Sequence, residues 1–272
     1  MGTSTHNGGQ KGATSLVPSW LDQPDANAPN EVAPGSDNTQ IPPIGDADRF
    51  RVPRGDFTRY INSGGRNSGL GRKSVSNYIR NSLGGSSNAT RRMGSARNSS
   101  ARLLNVAGVF ASGGARAVEQ YLSIANLSRK TASDAFIAIT DFICPDGGPQ
   151  DEGIARSAYI SAIEESPEMA TVKFEDLASE QIMVIVERTI ANAIFNRITN
   201  DIGNKIILLP QEPAESDSLI AQMKDFVKGS VSDAVTNLEI KAGNIRQGDS
   251  SKIVDQVYKA AFDIMISAGE NE

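Results

Sequence analysis

Histidine and cysteine are almost missing from this chain: 272 residues contain one of each, His6 and Cys144. A single cysteine excludes an intrachain disulfide and a Cys-rich metal site. A single histidine restricts a Ser-His-Asp triad, or a His-containing zinc site, to one position. That position lies among Gly, Ser, Thr and Asn near the chain start, without the rigid third group a catalytic base requires. Aromatic residues are scarce at 6% and hydrophobic residues reach 39%, so part of the chain is expected to stay outside any core. No apolar run approaches the roughly 18 residues of a membrane span. The first residues are polar from Gly2 to Ser15, unlike a secretory signal. These absences point to a non-catalytic, cytoplasmic protein with no metal, no resident cofactor and no membrane contact.

Charge is present but unevenly spread. The net charge of −5 combines +6 over residues 1–103 with −11 over residues 104–272. Between Asp48 and Leu103 there are twelve basic residues, eleven of them arginine, against Asp48 and Asp56. Arg pairs with phosphates and stacks on bases, and Tyr60 and Tyr78 interleave with the arginines, so nucleic acid is one reading. Docking onto an acidic protein surface, this chain's own or a partner's, is the preferred one, because no nucleic-acid recognition fold accompanies the stretch. Arg66, Arg72, Lys73, Arg91 and Arg92 are the candidate contacts for an anion or an acidic surface.

The chain divides into three parts on composition. Residues 1–48 read as a flexible Gly/Ser/Pro-rich arm. Its one apolar island is Leu16-Val17-Pro18-Ser19-Trp20-Leu21, with the only tryptophan. An indole in such an arm either folds back onto the chain's own helices or docks on a partner. Pro24, Pro29, Pro34, Pro42 and Pro43 make an extended linker beyond it. Residues 49–100 read as an irregular Arg/Gly/Ser-rich segment with local helix near Lys73–Arg80. Residues 101–272 read as a helical domain. Leu103, Leu104, Ala107, Phe110 and Ala111 recur at helical spacing, and Val118, Tyr121 and Leu122 resume after Gly113-Gly114. Thr131 or Ser133 caps a helix carrying Phe136, Ile137, Ile139 and Ile143. Pro145–Pro149 is a turn, and Asp151 opens a helix through Glu165. Phe174 to Ile202 carries the widest apolar stripe and is expected at the centre of the core. Ile206–Leu209 is a short apolar run of either type. Three more helices follow, over Ser216–Lys228, Val231–Ala242 and Ile253–Ile266. The fold class is therefore all-α, with a long irregular N-terminal arm.

Most motifs with chemical overtones dissolve on inspection. Ile61 to Ser74 imitates a phosphate loop, but Gly71 is followed by Arg72 rather than Lys, and no strand precedes the glycines. Glu164-Glu165 and Asp151-Glu152 sit at helix ends, where carboxylates are usually solvated. Cys144 reads as a buried structural thiol. The start of the chain is more specific. Removal of Met1 would expose Gly2, whose unhindered amine has a pKa of about 7.7–8.0 and is partly unprotonated near neutrality. A myristoylation pattern wants Ser or Thr at the sixth position, which here is His6.

The opening Met1-Gly2-Thr3-Ser4-Thr5-His6-Asn7-Gly8-Gly9, followed by Leu16-Val17-Pro18-Ser19-Trp20-Leu21-Asp22, resembles the QatB family of the bacterial Qat anti-phage defence system. The Arg/Gly/Ser/Asn middle and the helical remainder are similar to it in composition. The resemblance implies work beside an ATPase, a QueC-like protein (QatC) and a TatD-like nuclease. It further implies that the QueC-like partner uses ATP to activate a 7-deazaguanine carboxylate and passes the acyl group to an N-terminal glycine, which Gly2 matches. Thr3, Ser4, Thr5, Gly8 and Gly9 would then thread the partner's channel. Leu16, Val17, Pro18, Trp20 and Leu21 would anchor the arm. The alternative is a nucleic-acid-binding or scaffold adaptor using the Arg-rich segment.

Overall fold

The computed structural model describes residues 48–145, 150–203, 213–246 and 248–270. The arm, including Gly2 and Trp20, lies outside them, as do Asp146–Pro149 of the turn and the Ile206–Leu209 run. Within the described residues the fold is all-α, with ten α-helices and a single isolated bridge, Thr131 to Lys173, in place of a sheet. The helices are α1 Arg51–Asn62, α2 Ser68–Asn77, α3 Ser86–Arg91, α4 Gly94–Leu122, α5 Ala132–Ala138, α6 Thr140–Ile143, α7 Gln150–Glu164, α8 Ser179–Ile202, α9 Pro213–Asn237 and α10 Ser250–Glu270.

The Arg/Gly/Ser-rich segment 49–100 is the main correction to the sequence reading. It is helical and packed rather than irregular. Its apolar islands fall at i, i+3, i+4 spacing: Phe57, Tyr60 and Ile61 on α1, then Val75, Tyr78 and Ile79 across the end of α2 and the π-helical turn Tyr78–Ser82. All six are buried. Such spacing makes one helical face. Small polar residues between them close the backbone. Ser74 Oγ donates to Pro53 O at 2.8 Å and Ser82 Oγ to Arg49 O at 2.5 Å, the latter a carbonyl to which Pro53, four residues on, has no N–H to give. Gly269 lets α10 lie against α2, since a Cβ there would meet Ser76 Cβ at 2.5 Å and Arg72 O at 2.7 Å. Ser76 Oγ, in turn, donates to Ile266 O at 3.0 Å.

One connected core runs from Phe57 to Met265. Helix α8 sits in its middle, packed on α4, α7 and α9. Ile182, Ile185, Ile190, Ala193 and Ile194 are fully enclosed, as the apolar stripe predicts. The helix starts later than expected, however. Phe174–Asp176 is a 3₁₀ turn, Leu177 and Ala178 are extended, and Gln181 Oε1 accepts from the Ala178 N–H at 2.8 Å to mark the true start. Phe174 faces Phe110 and Phe136 edge-on, at centroid distances of 5.3 and 5.7 Å, an arrangement favoured by the ring quadrupoles.

Two helix boundaries agree with the sequence pattern and a third does not. Helix α4 is kinked at Gly113 and Gly114, the latter at φ +65°, which is where the sequence pattern breaks. Thr131 rather than Ser133 is the N-cap of α5, its Oγ1 accepting from Asp134 N–H at 3.1 Å. The two helices expected over Ser216–Lys228 and Val231–Ala242 are one, α9, which passes through Gly229 without a break and ends at Asn237. Gly229 is exposed there, with no neighbour within 4 Å of where its Cβ would be.

Candidate functional site

Arginines of the basic segment are largely engaged inside the molecule. Arg54 on α1 donates Nε and Nη2 to the Asp201 carbonyl at the end of α8, at 3.0 and 2.8 Å. This places a cation at a helix C-terminus, where the peptide dipoles favour it. The Asp201 carboxylate accepts from the Tyr78 hydroxyl at 2.5 Å and from Arg197 Nε at 3.3 Å. Burial, and then the Asp201 charge, push the Tyr78 hydroxyl well above its ordinary pKa, so the phenol stays protonated and donates. Arg80 pairs with Glu270, and Arg97 with Asp255. The basic half of the chain thus clamps onto carboxylates and a carbonyl of its acidic half.

Of the five basic residues singled out from sequence, Arg72 and Lys73 share α2, while Arg91 and Arg92 stand at the end of α3. Arg66, Lys73 and Arg91 are exposed, and Arg66 Nε donates to Ser63 O at 3.1 Å. Arg72 is partly buried and lines a cleft of 290 Å³ between α2 and α9, with Tyr60, Gln222, Met223 and Phe226.

A second region was not recognised in the sequence. Asn98, Arg102 and Asn105 lie at i, i+4, i+7 on α4; Asn98 and Arg102 line two adjoining clefts, and Asn105 the larger of them. The smaller, 80 Å³, also has Ser95, Ser99, Cys144 and Glu152 on its walls. The larger, 410 Å³, reaches the start of α10 at Gly248, Ser250 and Ser251. Asn105 Nδ2 donates to Tyr121 Oη at 2.7 Å, and Tyr121 meets Phe142 edge-on. The helical spacing is visible in the sequence, but polar residues at that spacing on an amphipathic helix look like its solvated face.

Cys144 is buried, as expected, and burial pushes its thiol above the ordinary value. A raised thiol pKa lowers the thiolate fraction on which nucleophilicity depends. Glu165 departs from its expectation as a solvated carboxylate. Packing of α9 brings Lys224 and Lys228 onto it, the latter at 2.9 Å. Burial alone would raise its pKa, and the two lysines more than offset this and lower it. Among the described residues no group of three His, Cys, Asp or Glu side chains could hold a metal ion, and no helix is long and apolar enough to cross a membrane.

A family model described as Qat anti-phage system associated protein QatB matches residues 84–265, about two thirds of the chain. The chain belongs to the QatB family. The match spans α3 to the last turns of α10 and so covers the α4 clefts and the α8 core. The opening motifs that first carried the resemblance to QatB, in residues 1–22, lie outside it. No curated protein and no solved structure matches the chain. Membership of the QatB family associates the protein with the Qat anti-phage system.

Proposed function

We propose that the helical body is a non-enzymatic platform that presents Gly2 to a QueC-like partner, QatC, for acylation by a 7-deazaguanine carboxylate. The partner would activate the carboxylate with ATP, releasing pyrophosphate. The unprotonated Gly2 amine would attack the acyl-adenylate carbonyl. A C–N bond forms, the C–O bond to AMP breaks, and the amine proton leaves to solvent. Thr3, Ser4, Thr5, Gly8 and Gly9 would pass the partner's channel, and Leu16 to Leu21, with Trp20 at their centre, would grip its surface.

The observation that carries this reading is the use of the basic segment inside the body. Arg54, Arg80 and Arg97 are held by Asp201, Glu270 and Asp255. Residues 1–47, before the described body, hold both opening motifs, and Lys11 is their only lysine or arginine. The pairing of the arginines also removes much of the charge that a nucleic-acid adaptor would draw on. The system's ATPase and TatD-like nuclease would be further neighbours of the platform.

Intact-mass measurement of the chain produced with and without QatC tests the reading. A mass increment that maps to the N-terminal peptide and disappears in Gly2→Pro supports it. An unchanged mass, or an increment that persists in Gly2→Pro, overturns it. Salt-sensitive binding of nucleic acid that is lost when Arg66, Lys73 and Arg91 are neutralised would favour the adaptor instead.

A further inference from the structure

We infer that the 410 Å³ cleft between α4 and the start of α10 is a binding site for a phosphate monoester. Ser250 is the first indication. It is 6% exposed and lines the cleft, yet its Oγ has no hydrogen-bond partner. A buried hydroxyl without a partner is rare and calls for an acceptor. Arg102 is the second. Among the described residues its one acceptor is Phe142 O, at 3.4 Å from Nη1, which leaves most of its five N–H donors for the cleft it lines. The third is α10 itself. Ser250 and Ser251 open a helix of 21 residues, and the first N–H groups of a helix have no partner within it and carry the positive end of its dipole.

These donors converge from three sources: a guanidinium, a serine hydroxyl and a helix N-terminus. Ser250 Oγ has no partner and Arg102 only one carbonyl at 3.4 Å, and all three sources suit an oxyanion. A phosphate monoester is the ligand that fits best. Its dianion offers three oxygens to as many donors, where a carboxylate offers two. Of the nearby carboxylates, Asp255 is held bidentately by Arg97, Asp249 is exposed to solvent, and Glu152 lines the adjoining cleft rather than this one. The volume is within the range of small-ligand sites, large enough for a mononucleotide. Asn98 stands at the junction with the adjoining cleft, on the path by which the rest of the ligand would extend.

Calorimetric titration of the full chain with inorganic phosphate and with AMP tests the site, on wild type, Arg102→Ala, Ser250→Ala and Asn98→Asp. Asn98 is exposed, so its aspartate variant adds a repelling charge without disturbing the core, and circular dichroism confirms that each variant is folded. Saturable binding weakened about tenfold or more in Arg102→Ala and Asn98→Asp is expected. Absence of saturable binding by phosphate and AMP up to about 10 mM overturns the inference, and so does binding of equal strength in the folded variants. Displacement of AMP by an oligonucleotide with a 5′-phosphate, but not by its 5′-hydroxyl counterpart, identifies a strand end as the source. Displacement by neither identifies a free nucleotide. Both uphold the site.

Discussion

Arg97 and Asp255 form a two-point ion pair, Nε to Oδ1 at 2.7 Å and Nη2 to Oδ2 at 2.6 Å, that fastens α4 to α10. The pair belongs to the fold. Arg97→Ala is expected to cost about 1 kcal/mol of stability, the upper end for partly exposed pairs, because its geometry is bidentate. Urea unfolding of the two single variants and the double variant isolates the coupling. A coupling energy near zero would show that the pair contributes only geometry.

Tyr78→Phe keeps the ring stacked on Phe50, at 5.9 Å between centroids, and removes only the hydroxyl that Asp201 accepts from. A buried hydrogen bond to a charged group is lost, so destabilisation of about 2 kcal/mol is expected, with an unchanged denaturant slope. In the folded wild type, absorbance titration should show Tyr78 still protonated above the ordinary tyrosine pKa, the difference from Tyr78→Phe isolating its signal.

Glu165 and Glu187 should respond to pH in opposite senses. Lys224 and Lys228 lower the Glu165 pKa on balance. Its contribution is therefore present above the unfolded carboxyl pKa and lost as pH falls through the lower folded value. Burial raises the Glu187 pKa, so that group favours the fold below the unfolded pKa and opposes it as pH rises through the folded value. Glu165→Gln should lower the melting temperature at pH 7, and Glu187→Gln should raise it. Both differences should shrink in acid, as thermal melts across pH 3 to 7, roughly the carboxylate range, would show.

Gly269→Ala should destabilise by about 1–3 kcal/mol through overpacking, since the new methyl would press on Ser76 and the Arg72 carbonyl. Gly229→Ala, exposed within α9 and with no neighbour in reach, should stabilise by up to about 1 kcal/mol. Chemical denaturation of the two variants side by side distinguishes contact from backbone propensity.

The helical class and the α8 stripe were legible because apolar periodicity survives in a single sequence. Helix formation in α1 and α2 was concealed by composition. Gly and Ser interrupt the arginines there, and their intrinsic propensity argues against helix, yet Phe57, Tyr60 and Ile61 have the spacing of a buried face. Packing of α2 on α10, and of α1 on α2, outweighs the weak propensity. The α4 cleft was hidden for another reason. Asn98 and Arg102 are near in sequence, but Ser250 reaches them only through the fold. The basic clamps depend in the same way on Asp201, Asp255 and Glu270, which no local pattern connects to Arg54, Arg97 and Arg80.

The contact of α2 with α10 has a consequence for synthesis. Ser76 finds its acceptor at Ile266, 190 residues later, and Arg80 finds Glu270 across the same interval. At about 5–20 residues per second, α2 leaves the ribosome roughly 10–40 s before the helix that covers it. Its apolar face waits 190 residues for this cover, so the body cannot be finished piece by piece as it emerges. Closure comes late, when α10 arrives and joins the two ends of the described fold.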